Sequence, residues 1–274
     1  MKHPIGVFDS GLGGLTILKE IVRALPGYDY IYLGDNARAP YGPRSFETVY
    51  AYTKQAVAWL FDQGCPLVIL ACNTASAKAL RTIQQKDLPL MVPDKRVLGV
   101  IRPTTEVIGD YTETGHIGIL GTQGTVDSGS YKIEIGKFFP DVKVYQQACP
   151  AWVPLVESGD YDAPEADAIV KDCLDALQDQ SIYIDTILLA CTHYPLLADK
   201  IRAALPERMQ VISQGDIVAS SLAAYLDRHE ELKRRLSAAI GTSPLFYTTG
   251  DPMAFGEKAS RFWGEEVVAQ QAVL

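Results

Sequence analysis

Short aliphatic runs alternate along this chain with longer stretches in which apolar residues recur at the spacing of a helix. The runs predict strands at residues 5–8, 30–35, 68–71, 97–100, 116–120, 142–147, 187–190, 210–213, 245–250 and 266–269. The stretches predict helices at residues 15–25, 46–63, from 103 onward, after 125, and at 164–178, 196–204, 216–238 and 252–263, with loops at 36–44 and 149–162. Strands that alternate with helices are typical of parallel sheets joined by right-handed crossovers, so the pattern predicts an α/β protein.

The pattern restarts after residues 86–96, a proline-containing segment that is the best candidate for a domain boundary. A strand ending at Asp9 precedes the one that ends at Cys72, and a strand ending near Thr122 precedes the one that ends at Cys191. In open α/β sheets, ligands bind beyond the carboxyl ends of the strands. This weak repeat predicts two similar α/β halves, each with a strand-end cysteine, on opposite walls of a shared cleft.

The two strand ends that carry cysteine also resemble each other in sequence. They read Val68-Ile69-Leu70-Ala71-Cys72-Asn73-Thr74-Ala75 and Ile187-Leu188-Leu189-Ala190-Cys191-Thr192-His193-Tyr194. A single cysteine at such a position is more often a small buried hydrophobic residue than a catalyst. The matched pair favours a chemical role for both thiols.

The overall composition is that of an ordinary water-soluble protein. The 274 residues are 47% hydrophobic and carry a net charge of −8, which disfavours nucleic acid as a partner. No apolar stretch approaches the roughly 20 residues of a membrane span, and the amino terminus lacks a signal-peptide core. We therefore expect a cytoplasmic protein with no membrane partner.

Cysteine usage points the same way. Cys65, Cys72, Cys149, Cys173 and Cys191 are widely spaced, odd in number and without a Cys-x-x-Cys pair. This disfavours a disulfide framework or a zinc site and favours free thiols in a reducing compartment. We expect the first, third and fourth of them to serve packing or structure.

The polar side chains at the predicted strand ends include no lysine, which disfavours a pyridoxal Schiff base. They are Asp9, Ser10, Cys72, Asn73, Thr74, Thr122, Cys191, Thr192 and His193. The glycines at 11, 13 and 14 do not form a dinucleotide fingerprint, and they predict instead a turn that presents backbone N–H groups to a small anion.

The cysteines need a lowered pKa to act as bases. Lowering a thiol pKa from about 8.5 to about 7 requires roughly 2 kcal/mol, which a helix N-terminus and a neighbouring cation can supply. His193 is placed to move a proton near Cys191, and Asp9 is placed to do so near Cys72. One thiolate and one thiol on opposite faces of a stereocentre would carry out a two-base racemisation.

Four motifs resemble those of the glutamate racemases, within the cofactor-independent aspartate/glutamate racemase superfamily. They are Phe8-Asp9-Ser10-Gly11-Leu12-Gly13-Gly14-Leu15-Thr16, Gly34-Asp35-Asn36-Ala37-Arg38-Ala39-Pro40-Tyr41-Gly42, Ala71-Cys72-Asn73-Thr74-Ala75-Ser76 and Ala190-Cys191-Thr192-His193-Tyr194-Pro195. The resemblance implies interconversion of L- and D-glutamate with no cofactor, neither pyridoxal phosphate nor metal. It also implies that the product supplies peptidoglycan synthesis.

The same resemblance implies roles for individual residues. Cys72 would deprotonate D-glutamate and Cys191 L-glutamate, assisted by Asp9 and His193 respectively. Glu157 matches a further acidic residue of the family's site; without the resemblance it would be read as a solvated loop carboxylate. The implied substrate contacts are Asp9, Ser10, Tyr41, Gly42, Asn73, Thr74, Thr122, Thr192 and His193.

The resemblance further implies two α/β domains related by a pseudo-twofold, with glutamate enclosed between them. Residues 1–97 and 212–274 would form a discontinuous first domain, and residues 98–211 the second. The hydrophobic pattern by itself does not assign the tail to either domain. Homodimers are common in the family, so a homodimer is expected here as well.

Three other functions remain open at this point. The first is a racemase for aspartate or another acidic amino acid, since the two-thiol chemistry would be the same. The second is a cysteine hydrolase or amidotransferase with Cys191 as nucleophile and His193 as base, which leaves Cys72 unexplained. The third is a non-catalytic amino-acid-binding protein, which does not account for two matched thiols.

Overall fold

Two parallel sheets form the framework of the protein in a computed structural model that describes residues 3–236 and 243–274. The strands of these residues are β1 Ile5–Asp9, β2 Tyr30–Gly34, β3 Leu67–Leu70, β4 Arg96–Gly99, β5 His116–Gly121, β6 Lys143–Ala148, β7 Thr186–Ala190, β8 Gln210–Ile212, β9 Leu245–Thr248 and β10 Ala269–Gln271. One sheet has the order β10-β9-β2-β1-β3-β4, and the other has the order β6-β5-β7-β8. The tail after residue 212 thus contributes β9 and β10 to the sheet that contains β1.

Helices follow most of the strands. They are α1 Leu15–Ala24, α2 Phe46–Asp62, α3 Asn73–Lys78, α4 Leu80–Thr82, α5 Leu88–Met91, α6 Ile101–Thr105, α7 Gln123–Asp127, α8 Ser130–Phe138, α9 Trp152–Ser158, α10 Pro164–Gln178, α11 Ala198–Ala204, α12 Gly215–Arg228, α13 Glu230–Lys233 and α14 Pro252–Trp263. Short 3₁₀ turns occupy Asn36–Arg38, Ile108–Tyr111, Asp160–Asp162 and Tyr194–Leu197, and a π-helical turn occupies Ile83–Asp87. The predicted α/β architecture is confirmed.

The strand register of the first sheet brings two predicted site residues to one edge. β1 and β3 are buried along their whole length, as expected for parallel strands covered on both faces. Phe8 pairs with Leu70, so Asp9 and Ala71 are level with each other. Cys72 follows directly, and Asp9 and Cys72 therefore leave the sheet side by side.

The second sheet repeats this arrangement. β5 pairs with β7 so that Gly121 lies opposite Ala190. Thr122 and Cys191 are the next residues of the two strands, and they leave the sheet together. A buried apolar cluster that contains residues of both sheets, including Ile69 of the first sheet and Leu189 of the second, lies behind these edges.

Several predicted element bounds are wrong. The helix predicted at 216–238 ends at Arg228, because His229 adopts φ −126° and ψ 63° and begins the separate helix α13; residues 237–238 lie outside the described residues. The helix expected to start at Pro103 starts at Ile101, and the last strand lies at Ala269–Gln271 rather than at 266–269.

The predicted loop at 149–162 contains a helix. Pro154 lies in the first turn of α9, where proline is tolerated because its missing N–H would have no partner in the helix. Trp152 is fully buried, and its indole N–H donates to the carbonyl of Ile169 at 3.2 Å. The prolines suggested a loop, whereas the buried tryptophan holds this segment as a helix against α10.

One disulfide corrects the expectation that all cysteines are free thiols. Cys149 and Cys173 are bonded, with 5.9 Å between their Cα atoms, within the roughly 4.4–6.8 Å range of disulfides. Cys149 follows β6 and Cys173 lies on α10, which packs on that strand. Their separation of 24 residues gives no sign of this contact. Cys65, Cys72 and Cys191 are free.

Candidate active site

A cavity of about 180 Å³ lies where the carboxyl edges of the two sheets face each other. This is smaller than the roughly 300–1,000 Å³ of pockets for drug-sized ligands, and it suits a single small molecule. The predicted site residues that line it are Ser10, Tyr41, Gly42, Cys72, Asn73, Thr74, Thr122, Glu157, Cys191, Thr192 and His193. Asp9 lies just behind the wall. The structure thus brings together all the residues that the sequence predicted for one site.

The first-sheet wall holds Cys72 at the start of α3. Its Sγ accepts a hydrogen bond from the backbone N–H of Ala75 at 3.4 Å and donates to Ser10 Oγ at 3.4 Å. Burial, together with the charge of Asp9, raises the pKa of the Cys72 thiol to about 12 and outweighs these two hydrogen bonds. The expectation of a lowered pKa is therefore wrong for Cys72, which is a neutral thiol in this cavity.

Asp9 is completely buried behind Cys72 and links the two walls. Its Oδ2 accepts from the backbone N–H of Gly11 at 2.9 Å, and its Oδ1 accepts from the hydroxyl of Thr192 at 3.3 Å. Burial raises the pKa of the Asp9 carboxyl, while the charge of His193 and these hydrogen bonds oppose the shift. The carboxyl group can therefore hold a proton more readily than an exposed aspartate.

The second-sheet wall contains a chain of three polar groups. Cys191 Sγ lies 4.0 Å from Nδ1 of His193, and Nε2 of the same imidazole lies 3.0 Å from Glu157 Oε1. Burial lowers the pKa of His193, but the hydrogen bonds to Cys191 and Glu157 outweigh it and raise the pKa to about 10. For the Glu157 carboxyl, burial acts in the opposite direction and raises the pKa. Its hydrogen bond to His193 outweighs burial, so the pKa of Glu157 is lowered. The imidazole is therefore a cation beside the Cys191 sulfur.

This raised pKa predicts how stability depends on pH. His193 titrates near 6.5 when unperturbed and at about 10 in the folded chain, so its contribution is complete below about 6.5 and is lost as pH rises towards about 10. Between pH 7 and pH 10 the free energy of unfolding should fall more steeply for the wild type than for His193→Asn. Urea denaturation at several pH values in this window measures both slopes. Equal slopes would contradict the assignment of a charged His193.

The region after Cys191 differs from the helix start that the sequence predicted there. Residues 194–197 form a 3₁₀ turn, and the helix α11 begins only at Ala198. Cys72, by contrast, is the N-cap of a helix. The two thiols thus have different surroundings: a helix start and Asp9 on one wall, an imidazolium on the other.

Two threonines join the walls at the other end of the cavity. Thr74 Oγ1 lies 2.9 Å from Thr122 Oγ1, and Thr125 Oγ1 lies 3.1 Å from the latter. Thr122 is also the N-cap of α7, where its hydroxyl accepts from the backbone N–H of Thr125. Hydroxyl groups from both sheets therefore meet at one place, where they can accept from or donate to a bound ligand.

Sequence analysis missed Asp35, which fixes Tyr41. Asp35 is fully buried and accepts hydrogen bonds from the hydroxyl of Tyr41, from Arg38 Nε at 2.7 Å and from Thr249 Oγ1 at 2.7 Å. Burial, followed by the charge of Asp35, raises the pKa of Tyr41 above its usual range. The position of Asp35 at the end of β2 was a usable signal, since its neighbours Asp9 and Cys72 occupy the same kind of position.

An apolar wall was missed as well. Pro150, Val153 and Pro154 line the cavity beside the disulfide, and Pro40 lines it from the first sheet's side. The hydrophobic pattern predicts a loop at 149–162, so it does not mark Pro150, Val153 or Pro154 as lining residues. Between residues 3 and 236 and from 243 onward, no group of three His, Cys, Asp or Glu side chains is arranged to hold a metal ion.

Residues 5–222 match the Asp/Glu/hydantoin racemase family. The chain belongs to this family. A glutamate racemase of Roseobacter denitrificans is 44% identical over 269 residues, which is 94% of this chain and 96% of that protein. The protein is therefore an isomerase, an amino-acid racemase.

Solved structures of racemases agree with this assignment. A glutamate racemase isoform from Bacillus anthracis has a TM-score of 0.90 at 35% identity, covering 99% of this racemase and 98% of that chain. The glutamate racemase of Francisella tularensis, solved in complex with D-glutamate, has a TM-score of 0.85 at 30% identity, covering 100% and 97%. The two-sheet fold predicted from the motifs is confirmed, as is the family that they resemble. None of the helices formed by the described residues has the length and apolar character to span a bilayer.

Proposed function

We propose that this racemase interconverts L- and D-glutamate with two cysteines and without a cofactor. One observation carries the proposal: the free thiols of Cys72 and Cys191 end central strands of the two sheets and line the same small cavity. The relative at 44% identity and the neighbour solved with D-glutamate support glutamate as the substrate.

The surroundings of the two thiols support a direction for each step. The Cys191 sulfur, as thiolate beside the His193 cation, removes the α-proton of L-glutamate and becomes a thiol. The neutral Cys72 thiol then donates its proton to the opposite face of the carbanion, which gives D-glutamate and leaves a thiolate. The enzyme is then set for the reverse reaction. The raised pKa of Cys72, about 12, fits its role as the acid in the L-to-D direction.

Incubation in deuterated water tests this function. With L-glutamate and no added cofactor, we expect optical rotation to decay to zero while deuterium enters the α position of the product. A chelator and hydroxylamine, which would disable a metal or a pyridoxal group, should leave the rate unchanged. We expect aspartate to react about 10- to 200-fold more slowly, because it is one methylene shorter than glutamate. Absence of exchange with every acidic amino acid would rule out the proposed reaction.

The rival functions give different outcomes in the same experiment. Faster racemisation of aspartate than of glutamate would identify an aspartate racemase. A cysteine hydrolase would release product from an amide substrate without α-deuteration, and a binding protein would retain the amino acid unchanged. A hydrolase with Cys191 and His193 would also have no use for a free thiol at Cys72.

We infer further that residues 1–97 with 212–274 form one domain and residues 98–211 the other, with the substrate between them. The membership of the sheets supports this division, since β1–β4, β9 and β10 share one sheet and β5–β8 the other. We also propose, from the resemblance to the glutamate racemases, that the enzyme is a cytoplasmic homodimer whose D-glutamate supplies peptidoglycan synthesis. The names of the relatives support the reaction class, and sedimentation of the purified chain measures the oligomeric state.

A further inference from the structure

A closed ring of buried hydrogen bonds lies behind the cavity wall at Asn73. The Nδ2 of Asn73 donates to Gln214 Oε1 at 2.8 Å, and Gln214 Nε2 donates to the Tyr131 hydroxyl at 2.7 Å. The Tyr131 hydroxyl in turn donates to Asn73 Oδ1. All three side chains are at least 98% buried. Asn73 lines the cavity, whereas Tyr131 and Gln214 are not among its lining residues.

The direction of the ring is set by a backbone carbonyl. The second proton of Gln214 Nε2 is shared between Thr104 Oγ1 at 2.9 Å and the carbonyl of Val100 at 3.3 Å, and the Thr104 hydroxyl donates to the same carbonyl. A carbonyl oxygen can only accept, so Gln214 must turn its nitrogen towards Val100. Its Oε1 therefore faces Asn73, which must present Nδ2 to it. Asn73 Oδ1 is left to accept the proton of Tyr131.

This orientation determines what the cavity wall offers to a ligand. One Nδ2 proton of Asn73 is used by Gln214, and no further acceptor for the other is found among the described residues, 3–236 and 243–274. An amide with this free N–H attracts an anionic oxygen, whereas the flipped amide would present its own oxygen and repel one. Flipping would also place Asn73 Oδ1 against Gln214 Oε1, two acceptors without a proton between them.

We propose that Tyr131 and Gln214 are positioning residues, which hold the Asn73 amide so that its free N–H meets a carboxylate of the bound amino acid. That the ligand is an amino acid rests on the proposed function; the orientation of the amide does not. The ring also joins both sheets, because Asn73 follows β3 and Tyr131 lies on α8, beyond β5. Gln214 lies just after β8, where the chain returns to the first sheet. The orientation of the Asn73 amide therefore depends on contacts between the two sheets.

Nuclear magnetic resonance can observe this amide directly. The chain contains two asparagines, Asn36 and Asn73, so ¹⁵N labelling of asparagine gives two side-chain NH₂ groups, assigned with Asn36→Ser. In the wild type, the two Nδ2 protons of Asn73 should exchange with deuterated water at rates that differ at least about tenfold, because one is bonded within the ring and the other faces the cavity. In Gln214→Met, which removes the acceptor of the bonded Nδ2 proton, the two rates should become equal while those of Asn36 stay unchanged. Retention of the wild-type difference in this variant would overturn the proposal.

Kinetics provide a second, independent measurement. Tyr131→Phe should raise KM for glutamate about tenfold and leave kcat within about twofold. The reason is that Asn73 Oδ1 loses its partner, so the amide that donates to the substrate is held less firmly. Thr104→Val is the matched control, because it also removes one buried hydroxyl beside Gln214 but does not contact Asn73. It should lower Tm to a similar extent and leave KM unchanged. Gln214→Met should behave like Tyr131→Phe.

The two measurements separate the possible failures. Equal rises of KM in Tyr131→Phe and Thr104→Val, or no rise in either, would reduce the ring to a structural role and overturn the proposal. If the wild type does not racemise glutamate, the proposed function is wrong but the positioning proposal is not yet contradicted. The exchange rates of the Asn73 amide then decide whether the ring orients this amide.

Discussion

Replacing either Cys72 or Cys191 by serine should lower the rate of glutamate racemisation by at least about 10³-fold. A hydroxyl group is a far weaker acid and base than a thiol at neutral pH, and positioned acid–base groups contribute roughly 10²–10⁴-fold each. Circular dichroism of each enantiomer measures the loss. Cys65→Ser is the matched control, because Cys65 is also a buried free thiol but does not line the cavity; its activity should stay near that of the wild type.

The two serine variants should also differ from each other. In Cys72→Ser the wall of Cys191 is intact, so L-glutamate should still exchange its α-proton with deuterated water without inversion. In Cys191→Ser the same behaviour is expected with D-glutamate instead. Proton magnetic resonance of each enantiomer follows this exchange. A two-base mechanism is excluded if either variant racemises at the wild-type rate in both directions.

The second large effect is expected at Gly13. A Cβ atom at this position would overlap the Thr192 hydroxyl and the ring of His193. The turn at Gly13 also touches the other wall through Thr16, whose hydroxyl donates to the carbonyl of Thr192 at 3.0 Å. Gly13→Ala should therefore push the two walls apart and displace the imidazole from Cys191.

We expect Gly13→Ala to reduce racemisation about 10²-fold, since a displacement of about 1 Å of a catalytic group has an effect of this size. Overpacking should also lower the free energy of unfolding by about 1–3 kcal/mol. Steady-state kinetics and thermal denaturation measure the two effects. Gly27→Ala is the control, because a Cβ there would have no atom of the described residues within 4 Å apart from its own chain neighbours. An unchanged kcat in Gly13→Ala would show that the two walls accommodate the added methyl group without displacing His193.

Periodicity and strand ends predicted much of this molecule. The buried runs that become β1, β3, β5 and β7 are short and aliphatic, and parallel strands place the residues that follow them at one edge. Asp9, Cys72, Thr122 and Cys191 could therefore be grouped by their positions in the sequence. Glu157 was found by resemblance alone, because it lies on a helix whose prolines look like a loop.

Contacts between distant segments could not be predicted in this way. The bond between Cys149 and Cys173 depends on how α10 packs on β6, which no local pattern records. Gln214 and Tyr131 meet Asn73 across 141 and 58 residues of chain, respectively. The pKa of Cys72 was expected to fall because a helix starts there, but burial at 5% exposure has the larger effect.

The stability of the second-sheet wall depends on whether the disulfide between Cys149 and Cys173 is oxidised or reduced. The bond joins residues 24 apart, which lowers the conformational entropy of the unfolded chain. In the chain-entropy description this stabilises the folded state by about 3.5 kcal/mol. The closed loop includes all of α9 and thus Glu157, the partner of His193. Under reducing conditions the bond is open to reduction, and the segment then loses this restraint on its unfolded state. Reduction of the bond should therefore make local unfolding of this segment more frequent.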